Sequence, residues 1–170
     1  MGLNDTLIGG DDPDTIYGFS RTITVGSGTG LAGAVLIGNL NDTISGGGGG
    51  DTIYGDAQTA NLGISAPVGT ETSNDSISGG EGDDVIYGDY ENLNSVWGAK
   101  SVTTGHRDTI DAGPGNDVVH GDAKNGNVNF IGLGTGNIDT VDGGSGADTA
   151  DAGPNLDTCT DIENRTNCEL

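Results

Sequence analysis

Residues 46–56 read Gly-Gly-Gly-Gly-Gly-Asp-Thr-Ile-Tyr-Gly-Asp, and their interpretation decides the fold. A run of glycines is ordinarily a flexible linker, because glycine loses the most chain entropy on ordering. Here the run leads directly into Asp51-Thr52-Ile53-Tyr54, whose β-branched and aromatic residues are typical of a short strand. The run is therefore either a linker or a tight turn that only glycine can form, and recurrence of the pattern would favour the turn.

The composition argues against an ordinary globular core. Of the 170 residues, 32% are hydrophobic and 4% aromatic, whereas ordinary domains have roughly 45–50% apolar residues. Acidic residues outnumber basic residues by 26 to 5, which gives a formal net charge of −21. Such a charge favours disorder unless cations neutralise it, and it repels nucleic acid and anionic membranes. No apolar run approaches the ~20 residues that span a bilayer, so the expected partners are cations, with no nucleic acid and no membrane span.

An internal repeat runs through the chain. The tetrapeptide Asp-(Thr/Ser/Val)-apolar-x recurs, and its aspartates are Asp5, Asp14, Asp42, Asp51, Asp75, Asp84, Asp108, Asp117, Asp139, Asp148 and Asp157. A strand of three residues with one inward side chain cannot bury itself, so it must stack on copies of itself. The predicted inward columns are Leu7, Ile44, Ile77, Ile110 and Val141, and Ile16, Ile53, Ile86, Val119 and Ala150.

A glycine-rich segment precedes the second aspartate of each pair. These segments are GGDDPD (9–14), GGGGGD (46–51), GGEGDD (79–84), AGPGND (112–117) and GGSGAD (143–148). They resemble the Gly-Gly-x-Gly-x-Asp-x-apolar-x nonapeptide of the RTX, or repeats-in-toxin, calcium-binding family. Two copies depart from the loop pattern, because Asp12 replaces the third glycine and Ala112 replaces the first.

The resemblance and the stacking argument together predict an all-β fold, a right-handed parallel β-roll or β-helix solenoid of about five coils. We expect one domain over residues 1–170, with coils in 1–160 and a C-terminal cap at 161–170. On one side of the roll, the glycine side, the loops always have five residues. On the other, the insert side, they have 24, 20, 20 and 18 residues, at 18–41, 55–74, 88–107 and 121–138, and only 152–156 is short.

Inserts are expected to leave the roll at one edge of each coil and to stack on one another. In the first insert, residues 22–25 and 34–37 flank a Gly-Ser-Gly-Thr-Gly segment and are predicted to form a hairpin.

The resemblance implies a row of Ca²⁺ ions between the glycine-side turns, since calcium takes six to eight oxygen ligands from carboxylates and backbone carbonyls. The implied carboxylate ligands are Asp14, Asp51, Asp84, Asp117 and Asp148. The implied carbonyl ligands are Gly9, Gly10, Gly46, Gly47, Gly49, Gly79, Gly80, Gly82, Gly113, Gly115, Gly143, Gly144 and Gly146. Stacked turns that share ions at each gap would hold about four on this side. Without calcium the carboxylates should repel one another, so binding and folding are expected to be one event.

The insert side keeps the aspartate spacing but loses the glycine loop, with residues 70–74 and 103–107 in its place. Its candidate ligands are Asp42, Asp75, Asp108, Asp139 and Asp157, with Asp56, Asp89 and Asp122 as replacements for the missing loop groups. Two hypotheses stand: these aspartates bind further ions, or they only cap turns.

Cys159 and Cys168 are the two cysteines of the chain. Their closeness favours a disulfide that closes the last coil, and hence an oxidising compartment and a secreted or cell-surface protein. The alternatives are two free thiols or a weak metal pair.

Tyr17, Tyr54, Tyr87 and His120 occupy the same place in successive copies and are expected to form a column outside the roll. It is interpreted either as stacking that supports the sheet or as a binding strip for a sugar or another partner.

We predict a secreted structural calcium-binding module and no enzyme, because His106 and His120 lie beside aspartates that the repeat already explains. An adhesive or carbohydrate-binding module acting through the inserts is the main alternative. A polysaccharide lyase is disfavoured by the scarcity of basic residues, and ice binding by the lack of a regular Thr-x-Thr rank.

Overall fold

A computed structural model describes residues 4–25, 35–37, 41–62, 68–70, 74–95, 102–104, 106–122, 124–128, 133–135, 139–152 and 157–168. All regular secondary structure in these residues is β-strand. The strands form four sheets, and neighbouring strands pair in parallel throughout. No helix in the described part of the chain has the length and apolarity to cross a membrane.

The roll itself is made of two six-stranded sheets. Sheet 1 contains Thr6–Gly10, Thr43–Gly48, Ser76–Glu81, Thr109–Asp111, Thr140–Asp142 and Thr158–Thr160. Sheet 2 contains Thr15–Tyr17, Thr52–Tyr54, Val85–Tyr87, Val118–His120, Thr149–Asp151 and Asn164–Thr166. The chain alternates between the two sheets, so each strand pairs with its counterpart one coil away. The predicted parallel β-roll is confirmed.

The core lies between sheets 1 and 2 and consists of the two predicted columns. Ile44 pairs in register with Ile77, and Ile53 pairs with Ile86, and all four are at most 2% exposed. Each strand of the two sheets except Asn164–Thr166 contributes one inward apolar side chain, so the core is only two side chains thick. Its layers are held by contacts along the stack, which explains why a chain with so few apolar residues can bury a continuous core.

The inserts continue the solenoid as two further sheets of four strands. Sheet 3 contains Ser20–Val25, Ala57–Leu62, Tyr90–Ser95 and Asn125–Val128. Sheet 4 contains Val35–Ile37, Val68–Thr70, Val102–Thr104 and Leu133–Thr135. The predicted stacking of inserts is confirmed.

The hairpin predicted in the first insert is wrong. Ser20–Val25 pairs in parallel with Ala57–Leu62, whereas Val35–Ile37 pairs in parallel with Val68–Thr70 in the other insert sheet. Each strand therefore finds its partner in the next coil, in the register that the roll already imposes, and not within its own insert.

The C-terminal segment closes the roll with a disulfide and adds a coil. Cys159 and Cys168 are bonded, and Cys159 continues the sheet 1 core column opposite Val141. Asn164–Thr166 pairs with the sheet 2 strand Thr149–Asp151, with Arg165 opposite Ala150. Of the short turn predicted at 152–156, only Ala152 lies within the described residues.

Candidate metal sites at the two edges of the roll

The glycine-side aspartates form a ladder of hydrogen bonds between coils. The Oδ1 atom of each accepts the backbone N–H of its counterpart one coil earlier: Asp51 from Asp14, Asp84 from Asp51 and Asp117 from Asp84 at 2.8 Å, and Asp148 from Asp117 at 2.9 Å. Each aspartate directly precedes a sheet 2 strand, so the strand pairing itself brings these carboxylates into one row. One carboxylate oxygen is thereby used for structure.

The second oxygen is buried and has no hydrogen-bond partner among the described residues. This holds for Oδ2 of Asp51, Asp84, Asp117 and Asp148. A Cβ atom placed on Gly46 would overlap both Asp51 Oδ2 and the Gly79 carbonyl oxygen of the next coil. A buried carboxylate oxygen without a donor is costly, and here it faces a carbonyl oxygen that offers no proton. Converging oxygens of this kind fit Ca²⁺.

Glycine is required in these turns for two reasons. Gly47 and Gly80 both have a φ of +108°, a left-handed conformation that side chains disfavour. A Cβ on Gly80 would also overlap the Gly47 carbonyl oxygen. The turns bond to one another as well, since the Glu81 carbonyl accepts from Gly49 N–H at 2.8 Å. The run at 46–50 completes the strand Thr43–Gly48 and then turns tightly toward sheet 2, so it is not a linker.

All the glycines predicted as carbonyl ligands lie in these stacked turns. Glu163, which the sequence analysis missed, ends the same row: its Oε2 accepts the Asp148 N–H at 2.9 Å. It precedes the strand Asn164–Thr166 as each aspartate precedes its own strand. Its position before a strand could have identified Glu163 as a member of the row. The strand Asn-Arg-Thr was not recognised as a repeat copy because it has no apolar residue at its centre.

The insert side carries a second ladder with the same geometry. Oδ1 of Asp42, Asp75, Asp108, Asp139 and Asp157 accepts the N–H of the aspartate one coil earlier, at 2.8–2.9 Å. Oδ2 of Asp108 and of Asp139 is buried without a hydrogen-bond partner among the described residues. Both edges of the roll thus hold a row of carboxylates between coils.

One glycine per coil also survives on the insert side, which the sequence analysis did not recognise. One glycine directly follows each of the first four sheet 2 strands, and its backbone lies against the next aspartate of the ladder: Gly18, Gly55, Gly88 and Gly121. A Cβ on Gly88 would overlap the Gly121 carbonyl oxygen and stand 2.5 Å from Asp108 Oδ2. The insert side therefore keeps the first glycine of the loop, and with it a carbonyl and a carboxylate oxygen side by side.

The carboxyl groups on the two sides differ in their pKa values. On the glycine side, burial raises the pKa of Asp84 and raises that of Asp117 to about 6. On the insert side, burial raises the pKa of Asp75 and Asp139 to about 8, with nearby carboxylates adding to the effect. Burial also raises the pKa of Asp108 well above its usual range. A bound divalent cation would offset this cost of ionisation.

The replacement ligands predicted on the insert side are brought to the same edge. Asp56, Asp89 and Asp122 are 4%, 1% and 8% exposed. His106, for which the sequence analysis found no role, contacts two of them: its Nδ1 lies 2.6 Å from Asp89 Oδ1 and 3.2 Å from Asp56 Oδ2. Burial lowers the pKa of His106, but Asp89 and Asp56 outweigh it and raise that pKa to about 11.

The predicted aromatic column exists. Tyr17, Tyr54, Tyr87 and His120 stack face to face, with ring centroids 4.9–5.3 Å apart. Tyr54 and Tyr87 are only 5% and 4% exposed, so the column is not an open outer strip. This burial favours the interpretation as structural stacking over a platform for a sugar.

Comparison with known proteins identifies the repeat. A family model described as the RTX calcium-binding nonapeptide repeat (4 copies) matches residues 2–20, 37–59, 70–90, 102–125 and 133–159, which is more than half of the chain. No curated protein and no solved structure matches this chain. The family is a calcium-binding structural module and not an enzyme family. The matched segments contain both aspartate ladders, and the chain belongs to the RTX calcium-binding nonapeptide-repeat family.

Proposed function

We propose that Ca²⁺ ions bind between successive turns on the glycine side and that this binding drives folding. Each ion would be held by Oδ2 of Asp14, Asp51, Asp84, Asp117 or Asp148 and by carbonyl oxygens of the glycine turns, with about four ions in the row. The observation that carries the proposal is the row of buried Oδ2 atoms of Asp51, Asp84, Asp117 and Asp148, which have no donor among the described residues. Those of Asp51, Asp84 and Asp148 also lie beside a carbonyl oxygen of the next coil. Asp14 Oδ2, at the end of the row, accepts the Gly10 N–H at 2.8 Å.

The energetics favour coupled folding. Neighbouring strands lie ~4.8 Å apart, and two unit charges at that spacing repel by about 3 kcal/mol at an effective dielectric constant of ~20. A hydrogen bond to a charged group returns only about 1.5–3 kcal/mol. Each carboxylate has such a neighbour on both sides in the middle of the row, so hydrogen bonds alone do not stabilise the ionised ladder. Calcium supplies the missing charge, and its binding free energy becomes folding free energy.

A second row of ions is proposed on the insert side. Its ligands are Oδ2 atoms of Asp42, Asp75, Asp108, Asp139 and Asp157, with carbonyl oxygens such as that of Gly121. Asp122 lies on the same edge and is buried, which supports a role as an additional ligand. Asp56 and Asp89 contact His106 instead, so the calcium proposal on this side does not depend on them.

We infer an extracellular location, where the protein acts as a structural module. The Cys159–Cys168 disulfide is stable in an oxidising compartment. Extracellular modules bind calcium with dissociation constants of roughly 0.1–1 mM. A chain that folds only above such a concentration stays unfolded in the cytoplasm and folds after export.

The test is a calcium titration of metal-free protein followed by circular dichroism, with Mg²⁺ at the same ionic strength as the control. Calcium should produce the β signal in a steep transition, and Mg²⁺ should not, because it demands a smaller octahedral shell and holds its water. A full β signal in metal-free buffer at neutral pH would contradict calcium-dependent folding. Extracellular location is tested separately, by detecting the disulfide-bonded protein in the culture medium of cells that express the full-length gene.

A further inference from the structure

The cluster of Asp56, Asp89 and His106 differs chemically from both aspartate ladders because it contains nitrogen. His106 Nδ1, Asp89 Oδ1 and Asp56 Oδ2 converge, and such ligand atoms all lie within 4.8 Å of one another. All three residues are at most 4% exposed. The cluster joins three points of the inserts, since Asp89 and His106 lie at the start and end of insert 88–107 and Asp56 lies at the start of the insert before it.

A simple ion pair does not satisfy this arrangement. Nδ1 of an imidazole carries at most one proton, and that proton can point well at only one acceptor. Asp89 Oδ1, at 2.6 Å, takes this position. Asp56 Oδ2, Asp89 Oδ2 and His106 Nε2 are then buried without a hydrogen-bond partner among the described residues. Asp56 Oδ2 faces the same Nδ1 and is therefore an unsatisfied oxygen at the point where the three ligand atoms converge, which favours a missing cation there. Nε2 lies on the far edge of the ring and is not reached by that cation.

The donor set indicates which ligand fits. Calcium prefers an all-oxygen shell, whereas one imidazole with two carboxylates suits Zn²⁺ and related transition-metal ions. His106 has no equivalent elsewhere in the repeat: the residue two places before the ladder aspartate is Leu40, Ser73 and Asn137 in the other long coils. The set therefore occurs once in the chain.

We propose that Asp56, Asp89 and His106 form a site for one zinc-class divalent ion, separate from the calcium rows. Three protein ligands leave a position of a tetrahedral ion for water. The ion fixes both ends of insert 88–107 to the insert of the preceding coil. It thereby cross-links a long segment of the chain that connects sheet 2 to sheet 1.

The test uses the wild-type protein saturated with calcium, so that folding is not limiting. Isothermal titration with ZnCl₂ should show one equivalent bound, and CoCl₂ should give visible d–d absorption typical of a tetrahedral nitrogen and oxygen shell. His106→Asn should weaken zinc binding by at least about tenfold, and asparagine is the residue that the next coil carries at this place. His120→Asn is the matched control, because it removes the other histidine, which stacks on Tyr87, and should leave zinc binding unchanged.

Three outcomes would overturn the proposal: no zinc uptake by the calcium-loaded protein, equal affinity in His106→Asn, or stoichiometric displacement of zinc by a tenfold rise in calcium. If His106→Asn does not fold in calcium, Asp56→Asn serves as the second variant and is expected to show the same loss. Selective movement of the His106 ring resonances in NMR on adding zinc, with those of His120 fixed, is the direct structural readout.

Discussion

The two edges of the roll reach the same geometry by different routes. On the glycine side, five-residue turns with left-handed glycines connect sheet 1 to sheet 2. On the insert side, up to 24 residues and two extra strands separate sheet 2 from sheet 1. Both edges nevertheless place a glycine against the Oδ2 of an aspartate, and both hold the aspartates by N–H to Oδ1 bonds. The ladder thus depends on the residues at the strand ends and not on loop length.

The edges differ in the pKa values of their carboxyl groups, although the buried ladder aspartates on both edges are at most 3% exposed. The pKa of Asp117 on the glycine side rises to about 6, whereas those of Asp75 and Asp139 on the insert side rise to about 8. The inserts account for part of this difference, because Asp56 and Asp89 place buried negative charges beside the second ladder, whereas His106 acts in the opposite direction on Asp139. The glycine side is distinguished by the left-handed backbone of its glycines, and the insert side by the additional buried side chains of its inserts.

The largest effect is expected from a side chain in a glycine turn. Gly80→Ala places a Cβ on a residue with a φ of +108° and drives it into the Gly47 carbonyl oxygen. The left-handed conformation alone costs about 1–2 kcal/mol, and displacing backbone of the adjacent coil brings the expected loss to at least about 3 kcal/mol. Calcium titrations followed by circular dichroism should show a large rise in the calcium concentration needed for folding.

Gly48→Ala is the control within the same run of turns. A Cβ there would meet its nearest atom, the Cα of Asp11, at an ordinary 3.6 Å. Gly88→Ala on the insert side should fall between the two, because Gly88 has no positive φ but its Cβ would overlap the Gly121 carbonyl. Equal effects of Gly80→Ala and Gly48→Ala would contradict the tight-turn assignment.

A smaller effect is expected from removing one ladder charge on each side. Asp84→Asn and Asp108→Asn keep an oxygen that accepts the N–H of Asp51 and of Asp75 in the preceding coil but lose the negative charge. Each should weaken calcium binding by about tenfold, or about 1.4 kcal/mol, and lower the number of ions bound. Equilibrium dialysis with atomic absorption measures both quantities.

Asp83→Asn makes the same charge change on an exposed residue next to Asp84 and should alter neither quantity. The informative contrast is Asp108→Asn. If it leaves the ion count unchanged and stabilises the metal-free chain, the insert-side aspartates only cap turns, and ions bind on the glycine side alone.

Most of the roll could be predicted from the sequence because its signals are local and repeated. Ile53 and Ile86 stand at fixed distances from an aspartate, so their stacking followed from the register alone. The disulfide followed from two nearby cysteines, one of them in the core column. A parallel solenoid converts sequence period directly into spatial position.

What could not be predicted depends on contacts that break the period. The segments that form Ser20–Val25 and Val35–Ile37 were predicted to be a hairpin because a glycine-rich segment lies between them. Each strand instead pairs with its counterpart in the next coil. His106 meets Asp56 only after two inserts have folded against each other. Glu163 replaces an aspartate and precedes a strand without an apolar centre. None of these is encoded within a single nonapeptide.

The two sides should also differ in how they change the stability of the calcium-free chain with pH. An unfolded Asp has a pKa near 3.8, whereas folded Asp117 titrates at about 6 and folded Asp75 at about 8. The folded chain therefore binds protons more tightly. Its stability is greatest below about pH 4 and is lost as the pH rises through 6 and then 8.

Metal-stripped protein, prepared without a chelator, should thus gain β signal as the pH falls from 8.5 to 4.5. Asp75→Asn should remove part of the change near pH 8, and Asp117→Asn part of the change near pH 6. A loss of β signal on acidification would show that the raised pKa values do not govern the metal-free chain.

The smallest effect is expected in the aromatic column, at the end of sheet 2 where the inserts begin. Tyr87 stacks on Tyr54 and on His120, whereas Tyr17, at the end of the column, has one described ring contact. Each stacked pair contributes about 0.5–1.5 kcal/mol, so Tyr87→Leu should lower the unfolding free energy by about 1–3 kcal/mol and Tyr17→Leu by about half as much. Urea unfolding in saturating calcium measures both. Equal losses would contradict the stacking assignment, because Tyr87 has two ring partners and is buried, whereas Tyr17 has one described ring partner and is half-buried.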